Sequence, residues 1–400
     1  MTVLSGYIMI RKVITILLLC VVNSLVLNAN INDIIKTKKN YKIENGNHQE
    51  KSFQAVRLIN NNYKVVDLNA KQIYKTDRID IYLEDGFEVD HKELKNIINE
   101  TMKALEMEEY IFGKLEDKLI LLIMDINGGD RGYNAYLQGY SILEGDNTEI
   151  VNDNKNIIFL DYINGWYNID SVLNTIIHEL QHVIHYSNLR KEHNDNLKSK
   201  FDVWVDEALS EAAVIAYRGD FPKNRLEYFN TDSMYLITKG DYFINWKGGY
   251  TVHKYATVSL FMYWLGLQSK NGFEIYKDIA NAPLEYRGTY KAILYAAKKN
   301  IRDFKDWSEL YATWLQANYK NESTGIYGYY NKIKVEPKII TSQLNFSMPP
   351  GSAVYIKGDF ASDDKLLRYV PLEDDIYLVY NPDTNTEGIE RFLIVNSYYY

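Results

Sequence analysis

The chain has 400 residues, of which 46% are hydrophobic and 14% aromatic, so it carries enough apolar side chains for a large core. This composition excludes a disordered or fibrous protein as a description of the whole chain. A formal net charge of −8 lacks the basic excess that phosphate binding needs, which argues against nucleic acid as a partner. The single cysteine, Cys20, excludes intramolecular disulfides and cysteine-built zinc sites, so a metal site must use His, Asp and Glu.

The N-terminus has the order of a secretory signal, which we place at residues 1–29. An apolar run over 13–22 follows two basic residues and precedes small and polar ones. About ten strongly apolar residues are too few for the roughly twenty of a membrane span. We therefore expect an exported protein, secreted or associated with the cell envelope, without a stable membrane span. Lipid anchoring through Cys20 is the less favoured alternative, because Leu19 stands where a lipoprotein signal has a small residue.

The first half of the remaining chain is predicted to be mostly strands. Residues 30–52 are polar, rich in Lys and Asn and aperiodic, which predicts a flexible leader. Over 53–165 the pattern is typical of strands, with one amphipathic helix at 91–108. The predicted strands cover 55–59, 63–68, 78–83, 118–126 and 156–161.

The second half is predicted to be helical and to end in a small β region. Apolar faces with helical spacing recur throughout 166–320, namely in 171–187, 203–217, 252–267, 272–280, 288–299 and 304–318. After Pro337 short strands return between Pro-Gly and Asn-Pro-Asp turns, which predicts a small β domain over 337–400. Its strands are predicted at 353–357, 366–370, 376–380 and 391–397. The fold class is therefore α+β: a mixed-sheet half, a helical half and a β appendix.

The chemistry of the chain is concentrated in the sequence HELQH, which starts at His178. The apolar residues around it follow helical spacing, so the segment is predicted to be a buried amphipathic helix capped by Asp170. His178 and His182 are then one turn apart on one face, where both imidazoles can reach a single ion at about 2.0–2.1 Å. This context disfavours the alternative of two structural histidines beside a surface glutamate.

A third ligand decides the kind of zinc site. His185 lies two helical turns from His178, roughly 10 Å along the axis, and cannot share an ion with it. A second helix is predicted around the sequence WVDEALSEA, in which Glu207 and Glu211 are again one turn apart. His178, His182 and Glu207 make the two-histidine, one-glutamate set of a catalytic zinc site, which leaves the fourth position for water. Glu211 is predicted to accept the second ring N–H of His178 and so to fix its tautomer.

The pairing of HELQH with WVDEALSE resembles the gluzincin zinc peptidases, in the thermolysin-like clan, and the flanking sequence looks like the hyicolysin family within them. The resemblance covers about residues 75–285. Its flanking matches are GYS at 139–141, NIIFLDY at 156–162, and Trp246 followed by YATVSLFMY at 255–263. It implies a thermolysin-like zincin catalytic domain over 53–320 with one catalytic Zn²⁺, acting on protein or peptide substrates.

The resemblance also implies roles for residues outside the ligand set. Glu179, beside the ligands, would act as the general base that takes the water proton and passes it to the leaving amine. Tyr255 is the candidate donor for the oxyanion, by analogy with a tyrosine that aminopeptidases of this clan place after the third ligand; His253 and Tyr250 are the alternates. Strand 156–162 would be the sheet edge that pairs with an extended peptide. The exopeptidase signature GAMEN is missing, which favours an endopeptidase.

Two other function classes stay open. An exported surface or adhesion protein on an inactive zincin scaffold would fit the β appendix and the 35 tyrosines. A zinc hydrolase of a non-peptide amide would share every catalytic residue. Zinc stoichiometry and hydrolysis of a generic protein separate the first from a peptidase, and substrate profiling separates the second. We expect a monomer.

Overall fold

The computed structural model describes most of the chain from residue 29 onward. Its described residues are 29–36, 39, 41–129, 135–137, 156–162, 169–193, 202–231, 243–244, 246, 252–341, 344–361, 366–373, 375–385 and 391–395. The predicted signal with Cys20, the GYS segment at 139–141 and Tyr250 lie outside them, so predictions about those residues stay predictions. The chain divides into two compact units, which we call the sheet unit (33–199) and the helical unit (200–400 together with 1–32).

The sheet unit contains seven strands and two long helices among its described residues. A short helix, α1 (Ala29–Lys36), precedes them. The strands are β1 (Glu44–Asn45), β2 (Glu50–Ile59), β3 (Asn62–Lys75), β4 (Ile79–Glu84), β5 (Leu119–Met124), β6 (Ala135–Leu137) and β7 (Ile157–Asp161). The helices are α2 (His91–Phe112) and α3 (Ile169–His193). Helix α1 and the start of β2 fall within the predicted flexible leader, so part of that segment has regular structure.

The strands form one mixed sheet in the order β1-β3-β4-β5-β7-β6, with β2 paired to β3. Strands β2 and β3 make a long hairpin around Asn60 and Asn61, whose φ values of 52° and 62° suit a tight hairpin turn. Strands β4, β5 and β7 are parallel, and every residue of β5 and β7 is buried. Such continuous apolar strands are expected where both faces of a parallel sheet are covered.

The edge of this sheet differs from the sequence prediction. Strand β7 was expected to be the edge, but it pairs with β5 on one side and antiparallel with β6 on the other. Among the described residues β6 is therefore the terminal strand on this side of the sheet. The prediction was wrong because the three residues of β6 are too few to show a periodic pattern.

Helix α2 packs along helix α3 within the sheet unit. Asp90 caps its N-terminus by accepting from the backbone N–H groups of Lys92 and Glu93, and Gly113 follows its last turn with a φ of 105°. At the far end the side-chain amide of Asn188 on α3 donates to the Phe112 carbonyl at 3.2 Å. This packing places the HELQH helix with the sheet, whereas the sequence pattern had grouped it with the later helices.

The helical unit begins with a row of helices around an aromatic core. They are α4 (Val203–Arg218), α5 (Lys223–Thr231), α6 (Val252–Gln268), α7 (Ile275–Ala280), α8 (Tyr290–Asn300) and α9 (Trp307–Lys320). Among the largest fully buried side chains of the described chain are Trp204, Trp264 and Trp314 from three of these helices. Phe261 packs edge-on against Trp314 with ring centroids 5.2 Å apart. Edge-to-face aromatic pairs of this kind add to the stability gained by burial alone.

The C-terminal β region consists of two small sheets in the same unit. One has the order β12 (Arg368–Glu373), β13 (Ile376–Tyr380), β10 (Ala353–Lys357) and β8 (Ile339–Ile340). The other has the order β11 (Phe360–Ala361), β14 (Arg391–Val395) and β9 (Leu344–Met348). The hydroxyl of Tyr355 in β10 donates to the Leu315 carbonyl of α9 at 2.7 Å, which fastens this region to the helices.

The predicted α+β class is confirmed, with a mixed sheet first and helices after it, as a thermolysin-like fold has them. The predicted strands and helices all correspond to observed elements, with ends that differ by up to seven residues, the largest difference being at the C-terminal end of β3. Strands β1, β6, β8, β9 and β11 and helices α1 and α5 are additional among the described residues, and most are too short to show a period. No helix within the described residues is long and apolar enough to cross a membrane.

Candidate metal centre

Helix α3 holds two histidines one turn apart. Its apolar residues recur at helical spacing and are buried, so that one face of the helix is fixed in the core of the sheet unit. His182 is 6% exposed and His178 is partly buried. Their rings are close, with centroids 5.0 Å apart and an interplanar angle of 78°. The i, i+4 spacing read from the sequence therefore does bring both imidazoles together.

Helix α4 carries the candidate third ligand. The helix starts after Asp202 and ends at Gly219, whose left-handed φ of 70° terminates it in the usual way. Small alanines occupy much of its buried surface, which allows other elements to approach its backbone closely. Glu207 is partly buried, whereas Glu211, one turn later, is 3% exposed.

His178, His182 and Glu207 each offer one ligand atom that lies within 4.8 Å of the other two. Within the described part of the chain, this is the set of His, Cys, Asp and Glu side chains whose geometry could hold a metal ion, and His185 does not belong to it. Two imidazoles and one carboxylate are the donors of a catalytic zinc site with an open position. The residues present therefore fit zinc by donor chemistry as well as by spacing.

Glu211 is held by a buried hydrogen-bond network. Arg225 donates to its two carboxylate oxygens, from Nε at 3.1 Å and from Nη2 at 2.7 Å, and the Ser259 hydroxyl donates to it as well. Burial by itself would lower the pKa of the Arg225 guanidinium, but the Glu211 carboxylate raises that pKa above its ordinary value. Arg225 was not found from the sequence, because a lone arginine 14 residues after its partner has no local pattern. The expected bond from His178 to Glu211 stays a prediction.

Tyr255 and His253 both lie in the first turn of α6, and their surroundings differ. His253 is 2% exposed and Tyr255 is only partly buried. The guanidinium carbon of Arg225 lies 5.1 Å from the centroid of the Tyr255 ring, and the Trp246 ring meets that tyrosine edge-on at 4.8 Å. The Tyr255 ring is thus packed against two neighbours, and its side chain is more exposed than that of His253. The choice of Tyr255 over His253 as donor stays a prediction.

Glu179 is partly buried and follows His178 directly on α3. Consecutive residues of a helix point about 100° apart, since the helix has 3.6 residues per turn. Glu179 therefore does not share the ligand face with His178 and His182, as expected of a base beside the metal rather than a ligand. Its role stays a prediction.

A further buried acid, Glu108, was missed by the sequence reasoning. It lies on α2 and is 0% exposed. Burial raises the pKa of its carboxyl well above the ordinary value, and the nearby His182 opposes part of that rise. A signal was present in the sequence, because Glu108 continues the apolar stripe of Leu94, Ile98, Met102 and Leu105, where a carboxyl is unexpected.

No protein-family model matches the sequence. Over 307 residues the chain is 26% identical to the neutral metalloprotease ShpI of Staphylococcus hyicus, a match that covers 72% of this chain and 67% of that protein.

The resemblance stated from the sequence is thereby confirmed. The relative is a neutral metalloprotease, and His178, His182 and Glu207 form the cluster that an HExxH zincin requires. The prediction that the chain is a metallopeptidase is supported by both findings.

Proposed function

We propose that this metallopeptidase is a zinc-dependent endopeptidase that cleaves peptide bonds in proteins. The observation that carries the proposal is the His178, His182 and Glu207 cluster, in which all three ligand atoms lie within 4.8 Å of one another. The homologous neutral metalloprotease supports the same class of reaction.

Zinc is the metal that best suits this donor set. Structural zinc sites are usually closed by four protein ligands, most often including cysteine, whereas catalytic sites use three ligands and keep one position open. The chain has one cysteine, at position 20, and three clustered His and Glu ligands. A zinc ion bound there would lower the pKa of a water molecule to about 7 and polarise the scissile carbonyl.

The protein's own residues would move the proton and stabilise the developing charge. Glu179 takes a proton from the attacking water and delivers it to the departing amine, which needs a carboxylate beside the ligand face and not on it. Tyr255 donates its hydroxyl hydrogen to the oxyanion. Arg225 lies over the Tyr255 ring and forms an ion pair with Glu211, so this charged pair supports the position of the tyrosine in addition to its own helix.

An extended substrate would bind at the edge of the sheet. Strand β6 pairs antiparallel with β7 through residues 135–137. A terminal strand presents unpaired backbone N–H and C=O groups that can bond to the main chain of a peptide. This mode of binding recognises the main chain within a substrate and does not require a free substrate terminus, as expected of an endopeptidase. The predicted signal at residues 1–29 supports export of the enzyme.

The proposal is tested by metal content and hydrolysis measured on one preparation. We expect about one zinc per chain, hydrolysis of casein, loss of hydrolysis with a chelator and its return on adding zinc. Glu179→Gln should keep zinc and fold while losing activity by about 10²–10⁴, because the proton transfer is removed. Glu285→Gln is the matched control, since it makes the same change of charge at an exposed residue.

Two outcomes would contradict the proposal. A correctly folded protein that binds no zinc would exclude the mechanism and favour a binding protein on an inactive scaffold. Zinc binding with turnover of small amides but not of casein or peptides would favour a non-peptide amidase. If Glu179→Gln retained near-normal turnover, the base would be another residue.

A further inference from the structure

Glu108 is a buried carboxyl that nothing in the local packing explains. It is 0% exposed, and neither of its two oxygens has a hydrogen-bond partner. The other acids near it in α2 behave differently: Glu106 pairs with Lys39 and Glu109 pairs with Arg78. Buried carboxyls are nearly always satisfied, and an exception calls for an unseen ion, water or catalytic purpose.

Its position on α2 brings this carboxyl to the metal helix. Helices α2 and α3 pack along each other. The Asn188 side chain donates to the Phe112 carbonyl, which gives a common reference point on the two helices. Measured from there toward each N-terminus, Glu108 lies about 6 Å along α2 and His182 about 9 Å along α3. His182 is the group whose charge acts on the Glu108 carboxyl. The two residues therefore lie within about 3 Å of the same height along the packed helices.

Glu108 is placed to act through His182 and not on the metal directly. It is not part of the set formed by His178, His182 and Glu207 within the described residues. A histidine that binds a metal through one ring nitrogen nearly always donates the other N–H to a carboxylate, a backbone carbonyl or water. A buried carboxyl with two available oxygens supplies that acceptor.

We propose that Glu108 is a positioning residue: when a metal is bound, its carboxylate accepts the second ring N–H of His182 and fixes that ring, a bond that the present geometry does not yet contain. The proposal rests on the proposed zinc-dependent function. It explains why a carboxyl occupies a helix position where Leu would pack better. With Glu211 predicted to accept from His178, each histidine ligand would then have its own carboxylate partner.

The test measures zinc affinity and the stability of the zinc-free protein separately. Zinc dissociation constants are obtained by competition with a chromophoric chelator for wild type, Glu108→Gln and Glu108→Leu. We expect zinc to bind 10–100-fold more weakly in Glu108→Leu, about 1.4–2.8 kcal/mol, and by a smaller factor in Glu108→Gln, whose amide oxygen can still accept. The melting temperature of the zinc-free Glu108→Leu variant should equal or exceed that of wild type, because a buried unpaired carboxyl is removed.

Glu109→Gln is the matched control, because it makes the same change of charge one residue away and affects contacts with Arg78 and the Leu115 backbone N–H that do not involve His182. Its zinc affinity should stay within about twofold of wild type. The absorption spectrum of the Co²⁺-loaded protein gives a second readout, since reorientation of His182 alters the ligand field in the Glu108 variants and not in the control.

The results separate this inference from the proposed function. If wild type binds zinc tightly and both Glu108 variants bind it equally tightly with an unchanged Co²⁺ spectrum, the assignment of Glu108 is wrong while the zinc enzyme stands. If the folded wild type binds no zinc, the proposed function fails and this inference fails with it. A loss of affinity in Glu109→Gln as large as in Glu108→Leu would also overturn it, because the effect would then belong to the helix as a whole.

Discussion

Replacing Glu211 by alanine removes the acceptor at the centre of a buried network. Its side chain is 4% exposed, and that of its partner Arg225 is 25% exposed. Arg225 bonds to both oxygens of the carboxylate, and Ser259 donates to it from α6. In Glu211→Ala the guanidinium keeps its charge but loses its partner in a place where water reaches it poorly.

The loss of stability comes from the Arg225 guanidinium that Glu211→Ala leaves without its partner. Removing one member of a fully buried ion pair costs about 3–5 kcal/mol, and we take the lower end because a quarter of Arg225 still meets solvent. The Ser259 hydroxyl can donate its single hydrogen to the Tyr255 carbonyl, which lies 2.7 Å away, so it adds little to this figure. We therefore expect a loss of about 3 kcal/mol, which corresponds to a melting temperature lower by roughly 6–12 °C for a unit of this size.

The measurement is calorimetry of the zinc-free protein, so that metal binding does not contribute to the difference. The double variant Glu211→Leu with Arg225→Met should regain most of the loss, because replacing both charges with apolar groups is often nearly neutral. Glu336→Ala is the control: its pair with Lys334 is exposed on both sides, so its melting temperature should not change measurably. The reasoning is refuted if Glu211→Ala has the same melting temperature as wild type, or if the double variant is less stable than Glu211→Ala.

Two further sets of variants examine the proposed roles of residues in the helical unit. Tyr255→Phe should lower kcat by roughly 10²–10³ with little change in KM, because a hydrogen-bond donor used only in the transition state is lost. If His253→Ala shows this pattern and Tyr255→Phe has normal kinetics, His253 is the donor. Glu207→Ala removes one of three ligands and should abolish stable zinc binding in equilibrium dialysis, whereas Glu211→Ala should weaken it only 10–100-fold; the reverse order would exchange the two roles.

Local spacing determined much of this protein in advance. The apolar periods place the main helices and strands, because a helix or strand buries one face whatever its neighbours are. The same geometry fixes His178 and His182 as a pair, since residues four apart on a helix are always one turn apart. The pairing with Glu207 could also be anticipated, but only through resemblance to known zinc peptidases, because no local rule connects residues on two different helices.

What depends on long-range packing was decided by the tertiary structure alone. The sequence gives no sign that Arg225 and Ser259 meet at Glu211, or that the short strand β6 and not β7 ends the sheet. Glu108 illustrates both what the sequence shows and what only the packing shows. Its place in an apolar stripe can be read from the sequence, but its lack of a partner and its neighbour His182 appear only once α2 packs on α3. Secondary structure is set by bonds and spacings within a few residues, whereas a site depends on which faces meet, and that is fixed by packing of the whole core.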